Sequence, residues 1–204
     1  MIDSTLNLNL TPKQLEIADA ALRIIGRQGI AALTTATLAA ELGVSNGAPF
    51  RHFANREEIL EAVALRVEEL ILKTIPDCSC PALDRIRQLF LARTKAMGHH
   101  AGIARLMFSD QLSLALPKPA ANRLKNLVAR TRSFLLEALN EAMDGGEIRS
   151  DLSPEALLPI VMGTLQHIVF ARSLGLTKDG DTGDVSATLI SLLAPCSLPH
   201  SRQE

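Results

Sequence analysis

Apolar residues recur at helical spacing along most of the chain, and the apolar segments are separated by capping residues and by Pro or Gly. Thr11 and Pro12 predict the start of the first helix, and Gly29 predicts its end. No segment shows the two-residue alternation of a half-buried strand. The sequence therefore predicts an all-α protein of about nine helices, three of them before residue 54.

Residues 34–60 contain two short predicted helices joined by a tight turn. Thr34 caps the first helix, Gly43 ends it, and Ser45 caps the second, which is predicted over residues 45–53. Phe50 and Phe53 lie three residues apart and are expected to face inward. The side chains expected to point mostly outward are those of Asn46, Gly47, Ala48, Arg51 and His52.

A long helix follows this pair. Asn55 and Glu58 form a capping box, and the helix is predicted to run to about Ile75, where Pro76 stops it. Two helices joined by a short turn that contains Gly form a helix-turn-helix, whose second helix enters the DNA major groove. The pattern therefore predicts that residues 45–53 read DNA.

The spacing A-x-x-x-G-V-S, followed by F-R-H-F and N-R-E-E-I-L, resembles the TetR family of bacterial transcriptional regulators over residues 11–72. This chain has Phe50 where the family usually has Tyr, and Arg56 where Lys is usual. The resemblance implies an N-terminal three-helix DNA-binding lobe and a larger helical lobe that binds an effector and dimerises. The predicted divisions are a flexible N-terminus at 1–10, the helix-turn-helix domain at 11–56, a connecting helix at 57–75, the effector-binding and dimerisation domain at 76–195 and a flexible tail at 196–204.

Candidate DNA contacts cluster in the helix-turn-helix segment. Asn46 can bind adenine through two hydrogen bonds, and Arg51 can reach a guanine edge or a phosphate. Arg56 keeps a positive charge at the start of its helix and is expected to bind a phosphate. The complete predicted set is Thr34, Thr35, Ser45, Asn46, Gly47, Ala48, Phe50, Arg51, His52 and Arg56.

Residues 154–174 are apolar around most of their helical circumference, which predicts burial on two sides. The apolar fraction of the chain is 47%, which is high for a monomer, and it favours a surface reserved for another subunit. The family resemblance implies that the last two long helices pair across a two-fold axis. A homodimer is therefore predicted through helices at about 154–174 and 184–194.

The second lobe contains apolar and Met residues that suit an adaptable binding pocket for a small hydrophobic effector. Gln166 and His167 are its candidate polar groups. The complete predicted set is Phe90, Met97, Met107, Phe108, Phe134, Met162, Gln166 and His167.

The net charge of −1 gives no support to nucleic-acid binding as a bulk property, so the predicted basic patch is local. The N-terminus lacks the pattern of a secretory leader, and the most apolar run, residues 157–171, is interrupted by Pro159 and is short for a bilayer. The three cysteines form no even disulfide framework. A cytoplasmic protein without a membrane partner is predicted.

The sequence gives little support for a metal site or a catalytic site. His99 and His100 are adjacent and point about 100° apart on a helix, and no carboxylate or thiol lies at ligand spacing. Cys78 and Cys80 could bind a soft metal or sense oxidation, but their place in a Pro-bounded connector favours ordinary thiols. No metal, cofactor or enzymatic activity is predicted.

Three functions remain in competition. The first is a transcriptional repressor that a small-molecule effector releases from a palindromic operator. The second is a ligand-independent architectural or cell-division factor on the same fold. The third, a helical enzyme, lacks a phosphate-binding loop and a nucleophile beside a base.

Overall fold

A computed structural model describes residues 10–76, 80–98, 100–108, 115–177 and 181–195 of the 204-residue chain. These residues form eight α-helices and two short 3₁₀ turns, Ile30–Ala32 and Pro49–Arg51. The helices are α1 (Pro12–Gln28), α2 (Thr35–Leu42), α3 (Arg56–Leu72), α4 (Ala82–Gly98), α5 (Ala101–Phe108), α6 (Lys118–Asp144), α7 (Pro154–Ser173) and α8 (Asp181–Leu193). The all-α prediction is confirmed.

Local caps begin and end the first helices as the sequence predicts. The Thr11 side chain accepts a hydrogen bond from the Gln14 amide, and Thr34 caps α2 in the same way through Thr37. Gly43 ends α2 in the left-handed conformation, with φ of 67°, which a residue with a Cβ adopts only under strain. These contacts fix where the short α2 begins and ends.

The start of α3 differs in one detail from the predicted capping box. The Asn55 side chain accepts from the Glu58 amide at 2.9 Å. The Glu58 carboxylate accepts a hydrogen bond from the Ala54 amide at 2.8 Å, whereas a capping box predicts the Asn55 amide as the donor. The cap therefore also holds the residue that precedes it.

The helices form two groups around one continuous core. In the first group, α1 packs against α2, α3 and α5. In the second, α4 packs against α6, α7 and α8, and α6 also contacts α3 and α7. Since α3 contacts α1 on one side and α6 on the other, it joins the two groups.

Two predicted helix boundaries were wrong. Helix α3 ends at Leu72, before the predicted Ile75, because Thr74 and Ile75 make tighter bonds to the carbonyls of Ile71 and Leu72. Helix α8 begins at Asp181, three residues before the predicted start at about 184. Residues 1–9 and 196–204, predicted to be flexible, lie outside the described residues, as does Cys78.

The apolar run at 157–171 was expected to be too short to span a bilayer, but it belongs to a longer helix, α7. With 20 residues and a mean hydropathy of 1.3, it is long and apolar enough to cross a membrane by these two criteria. However, 44% of its most apolar window is buried inside the protein, where the helix packs against α4 and α6. A core helix of a bundle satisfies the same criteria.

Candidate nucleic-acid interface and internal cavity

The segment predicted as a reading helix, residues 45–53, is a turn followed by the 3₁₀ turn Pro49–Arg51. The amide of Ala48 bonds to the carbonyl of Ser45 at 2.9 Å, and the amide of His52 bonds to that of Pro49 at 3.1 Å. Pro49 has no N–H, so the α-helical bond that would reach Ser45 cannot form and three-residue closures replace it. The prediction of an α-helix capped by Ser45 was wrong.

Most of the predicted outward residues do reach the surface. Asn46, Gly47, Arg51 and His52 are exposed, and Ala48 is half-buried. Phe53 is buried, as predicted, whereas Phe50 is 36% exposed, so its predicted inward direction was wrong. The buried ring that accompanies Phe53 is instead that of Pro49.

The turn at 45–52 is held to α1 by one polar contact. The Gln14 side-chain amide donates to the carbonyl of His52 at 3.0 Å. Gln14 also completes the cap of α1, since its side-chain oxygen accepts from the Thr11 amide at 2.9 Å. One side chain therefore fixes the turn relative to the start of α1.

Four of the predicted contact residues line one surface depression. Thr34, Thr35, Phe50 and Arg56 surround it together with Leu33. The Arg56 guanidinium donates to the carbonyl of Leu33 at 3.0 Å and to that of Ile30 at 2.9 Å. These bonds tie the start of α3 to the turn before α2, which is a positioning role.

Acidic partners bind the other arginines of the first helices. The Glu41 carboxylate accepts from Arg23 Nε at 2.6 Å and from Arg27, which joins α2 to α1. Arg66 pairs with Asp19 at 2.9 Å and with Glu69 at 2.8 Å, joining α3 to α1. Arg51 has no ion pair within the described part of the chain. The turn therefore presents a cation that its own fold does not neutralise.

We expect the pairing of α2 with α1 to weaken in acid. The hydrogen bond from Arg23 is the main cause that lowers the pKa of Glu41 below its usual 4.5. A carboxyl with a lowered pKa stabilises the fold above the unfolded-state pKa, and this stabilisation is lost as the pH falls through the folded value. In urea unfolding followed by circular dichroism, Glu41→Gln should cost about 1 kcal/mol at pH 6.5 and less at pH 3.5.

The matched control for this experiment is Glu137→Gln. Glu137 is an exposed residue of α6 and makes no ion pair within the described ranges. Its substitution should leave the free energy of unfolding nearly unchanged at both pH values. An equal cost of Glu41→Gln at pH 6.5 and pH 3.5 would contradict the ionic origin of the contact.

A cavity lies between the two helix groups, and two of its lining residues, Val128 and Gln166, are exposed to solvent. It has about 30 Å³ of open space, close to the share of one water molecule in the liquid. Four predicted pocket residues line it: Met97, Met107, Met162 and Gln166. Its further lining residues are Ile71, Arg93, Val128, Thr131, Leu165 and Val169.

The other predicted pocket residues do not line this cavity. Phe90 and Phe134 are buried in the core, and His167 is exposed on α7. The side chain of Phe108 lies outside the described residues. Large apolar residues of a helical bundle belong more often to its core than to a ligand site, and the sequence pattern does not separate the two.

Arg93 is the charged residue among the lining residues that were not predicted. It is 6% exposed, and its Nε donates to the Thr74 hydroxyl at 2.6 Å. A signal for it exists in the sequence, because Phe90, Arg93 and Met97 lie at helical spacing on the apolar stripe of α4. A charged side chain on the apolar face of a helix usually pairs with a polar group of the protein or binds a ligand.

Helix α5 lines the cavity and also crosses closely over α1, the helix that contacts the turn at 45–52. Met107 of α5 lines the cavity, and Gly102 of the same helix faces α1. A Cβ at Gly102 would lie 2.1 Å from the carbonyl oxygen of Leu22. No side chain of Gly102 separates the two backbones, so α5 and α1 are in direct main-chain contact at this point.

Metal ligands do not come together in the described residues. No group of three His, Cys, Asp or Glu side chains is placed to hold an ion there. Cys80 is a free, half-buried thiol that receives a contact from the Gln88 amide at 3.4 Å. His99 lies outside the described residues.

Comparison with known proteins agrees with this architecture. The sequence profile described as bacterial regulatory proteins, tetR family, matches residues 17–63. The HTH-type transcriptional repressor KstR2 of Mycobacterium tuberculosis (strain ATCC 25618 / H37Rv) is 22% identical over 152 residues, which are 73% of this chain and 76% of KstR2. The nucleoid occlusion factor SlmA of Shewanella pealeana is 28% identical over 144 residues, which are 67% of this chain and 73% of SlmA.

Solved structures show the same fold at low identity. The ketosteroid transcriptional regulator KstR2 of Mycobacterium tuberculosis superposes with a TM-score of 0.73 and 20% identity, covering 89% of this chain and 95% of that one. AibR, in complex with isovaleryl coenzyme A and operator DNA, gives a TM-score of 0.71 and 16% identity, covering 89% and 98%. The helices that surround the turn and the cavity are therefore those of a known regulator fold.

Proposed function

Since this chain belongs to the TetR family of bacterial regulatory proteins and is a DNA-binding transcriptional regulator, not an enzyme, we propose that it represses transcription from a palindromic operator. In this proposal it binds as a homodimer and a small apolar effector releases it. The observation that carries the proposal is the turn at 45–52, which exposes Asn46 and Arg51 while Pro49 and Phe53 are buried beneath it. A cytoplasmic location follows from this role, because the operator is there.

We assign the DNA contacts from exposure and donor chemistry. Asn46 and Arg51 are the candidates for base edges, since an amide pairs with adenine and a guanidinium with guanine. Thr35 and His52 are exposed and suit phosphate contacts, which fix the register of the protein on the duplex. Arg56 keeps the start of α3 in place through its two carbonyl contacts.

The dimer surface that we propose consists of the exposed sides of α7 and α8. Ile160 and Phe170 of α7 are 55% and 43% exposed, and Leu192 of α8 is 66% exposed. Both helices bury their other sides against α4. Exposed apolar residues that share one surface often mark a protein interface, and a second copy of the same surface would cover them.

Release by an effector follows from the position of α5. An effector in the cavity contacts Met107 of α5, and α5 rests on α1 at Gly102. The Gln14 contact joins α1 to the turn at 45–52. A ligand that binds more tightly when α5 is displaced favours that conformation of the dimer. In this conformation the distance between the two turns at 45–52 no longer matches operator half-sites about 34–36 Å apart.

Arg51→Ala should weaken operator binding by roughly 10- to 100-fold, since the guanidinium in each half-site can no longer bind a guanine edge or a phosphate. The salt dependence of operator binding should also weaken. The slope of log affinity against log salt concentration should fall by about one for each phosphate that loses its arginine contact. A band-shift titration at several salt concentrations, with DNA from upstream of the protein's own gene, measures both quantities.

Arg132→Ala is the matched control for Arg51→Ala. Arg132 is an exposed arginine of α6, which packs against α3, α4 and α7. This variant removes the same charge and should leave the affinity within about twofold of the parent protein. Unchanged operator affinity in Arg51→Ala would contradict the assigned surface.

A ligand-independent architectural or cell-division factor is the second candidate. It is supported by the small open volume of the cavity, about 30 Å³, and by the similarity to SlmA. On this reading, no small molecule changes operator affinity. A thermal-shift screen followed by band shifts with each hit separates the two functions.

A further inference from the structure

The buried Arg93 guanidinium has no acidic partner within the described residues. Apart from the Thr74 contact, its two terminal nitrogens lie 3.5 Å from the Thr131 hydroxyl, at the outer limit of a hydrogen bond. Burial lowers the pKa of Arg93 to about 10, so the side chain stays charged at neutral pH. A positive charge therefore lies in the cavity wall, and the other described residues that line the cavity are neutral.

Such a charge is unfavourable unless it is paired. Taking a charged group out of water is strongly unfavourable, and a guanidinium has five N–H donors to satisfy. Other buried arginines of this protein do have partners: Arg85 binds Glu141, and the half-buried Arg66 binds Asp19 and Glu69. Arg93 differs from them because it faces the cavity, where a ligand can supply the missing charge.

The remainder of the cavity wall is apolar. Met97, Met107 and Met162 line it together with branched aliphatic side chains. Gln166 is the polar residue at its α7 side. A ligand that satisfies this wall has an apolar body and one anionic end that reaches Arg93.

We propose that the effector is an apolar carboxylic acid whose carboxylate pairs with the Arg93 guanidinium while its hydrocarbon part packs against Met97, Met107 and Met162. This inference rests on the proposed effector-controlled repressor and names the chemical class of the effector. A carboxylate fits best because its two oxygens match the planar fork of the guanidinium. Thr74 holds the guanidinium through Nε, and a carboxylate would replace the long contacts of both terminal nitrogens to the Thr131 hydroxyl.

The small open volume explains how such a ligand acts on the fold. A cavity of about 30 Å³ admits one small group, so a longer ligand must displace the flexible Met side chains. Met107 is the cavity residue on α5. Ligand entry therefore moves the helix that rests on α1.

Isothermal titration calorimetry with matched ligand pairs tests the proposal. Each pair is a carboxylate and its primary amide: 3-methylbutanoate, octanoate and cyclohexylacetate against their amides. At least one carboxylate should bind about tenfold or more tightly than its amide, because a charge-assisted pair is stronger than a neutral one. Calorimetry is suitable because the chain has no Trp or Tyr to serve as an intrinsic fluorophore.

Arg93→Met should abolish this preference. The variant should fold, because Thr74 and Thr131 keep their own bonds to the carbonyls of Ile71 and Leu127. Arg93→Lys keeps the charge without the fork and should retain part of the preference. Arg130→Met is the control, since Arg130 is an exposed arginine of α6.

Three results would overturn the proposal: no preference in any pair, a preference that persists in Arg93→Met, or tighter binding of the coenzyme A thioester than of the free acid. A band shift with the same samples separates these failures from failure of the proposed function. Operator binding without carboxylate binding rejects only the effector class. Loss of operator binding in the parent protein rejects the repressor itself.

Discussion

Gly102→Ala is expected to lower the free energy of unfolding by about 3 kcal/mol or more, since it forces a methyl group into a backbone. The added Cβ would lie 2.1 Å from the carbonyl oxygen of Leu22 and 3.3 Å from the amide of Gly26. Both contacts are main-chain atoms of α1, so no rotamer change relieves them. Thermal unfolding by circular dichroism should show a midpoint lower by about 6 to 12 °C.

The functional consequence of Gly102→Ala follows from the same contact. If α5 moves away from α1 to accept the methyl group, ligand entry at Met107 no longer displaces α1. The variant should therefore bind its effector while showing a weaker effect of the effector on operator affinity. A band shift with and without the effector measures this coupling.

Gly183→Ala is the matched control for Gly102→Ala. Gly183 lies in α8, and a Cβ there would meet nothing within 4 Å. Alanine is a better helix former than glycine, so this variant should be as stable as the parent protein or up to about 1 kcal/mol more stable. Equal stability of the two variants would show that the α1–α5 crossing adapts, which would contradict direct transmission through it.

Leu192→Arg is expected to separate the proposed dimer and to weaken operator binding by roughly 100-fold or more, because a monomer loses the linked second half-site. Leu192 is 66% exposed within the subunit, so the substitution removes little packing inside it. In the proposed dimer it would place a charge from each subunit in the contact surface. Light scattering after size-exclusion chromatography measures the mass, and a band shift measures the affinity.

Ile160→Arg tests the α7 part of the same surface, since Ile160 is 55% exposed. Asn122→Arg is the control, because it adds the same charge at an exposed position of α6. The control should remain dimeric and bind the operator normally. A dimer that persists in both Leu192→Arg and Ile160→Arg would place the subunit contact elsewhere.

Local signals in the sequence were sufficient for most helix boundaries. The cap contacts of Thr11, Thr34 and Asn55 each span three residues, and Gly29 and Gly43 end their helices through their own backbone conformation. Such features depend on neighbouring residues alone, so they can be predicted before the fold is known.

The segment at residues 45–53 was predicted only in part. The sequence predicted its place and most of its exposed residues, including Asn46 and Arg51. It predicted an α-helix, however, although Pro49 prevents the bond to Ser45 that the helix needs. The fold keeps the segment in place through Pro49, Phe53 and the Gln14 contact, so helical hydrogen bonds are not required.

Length, caps and apolar periodicity thus determined that the chain is all-α and that an exposed turn follows α2. Only the tertiary structure decided which side chains surround the cavity and where the two helix groups touch. Arg93 meets Thr74 and Thr131 across 19 and 38 residues of sequence, and Gly102 meets Leu22 across an even longer separation. Contacts over such separations depend on how whole helices pack, and helical periodicity carries no information on that packing.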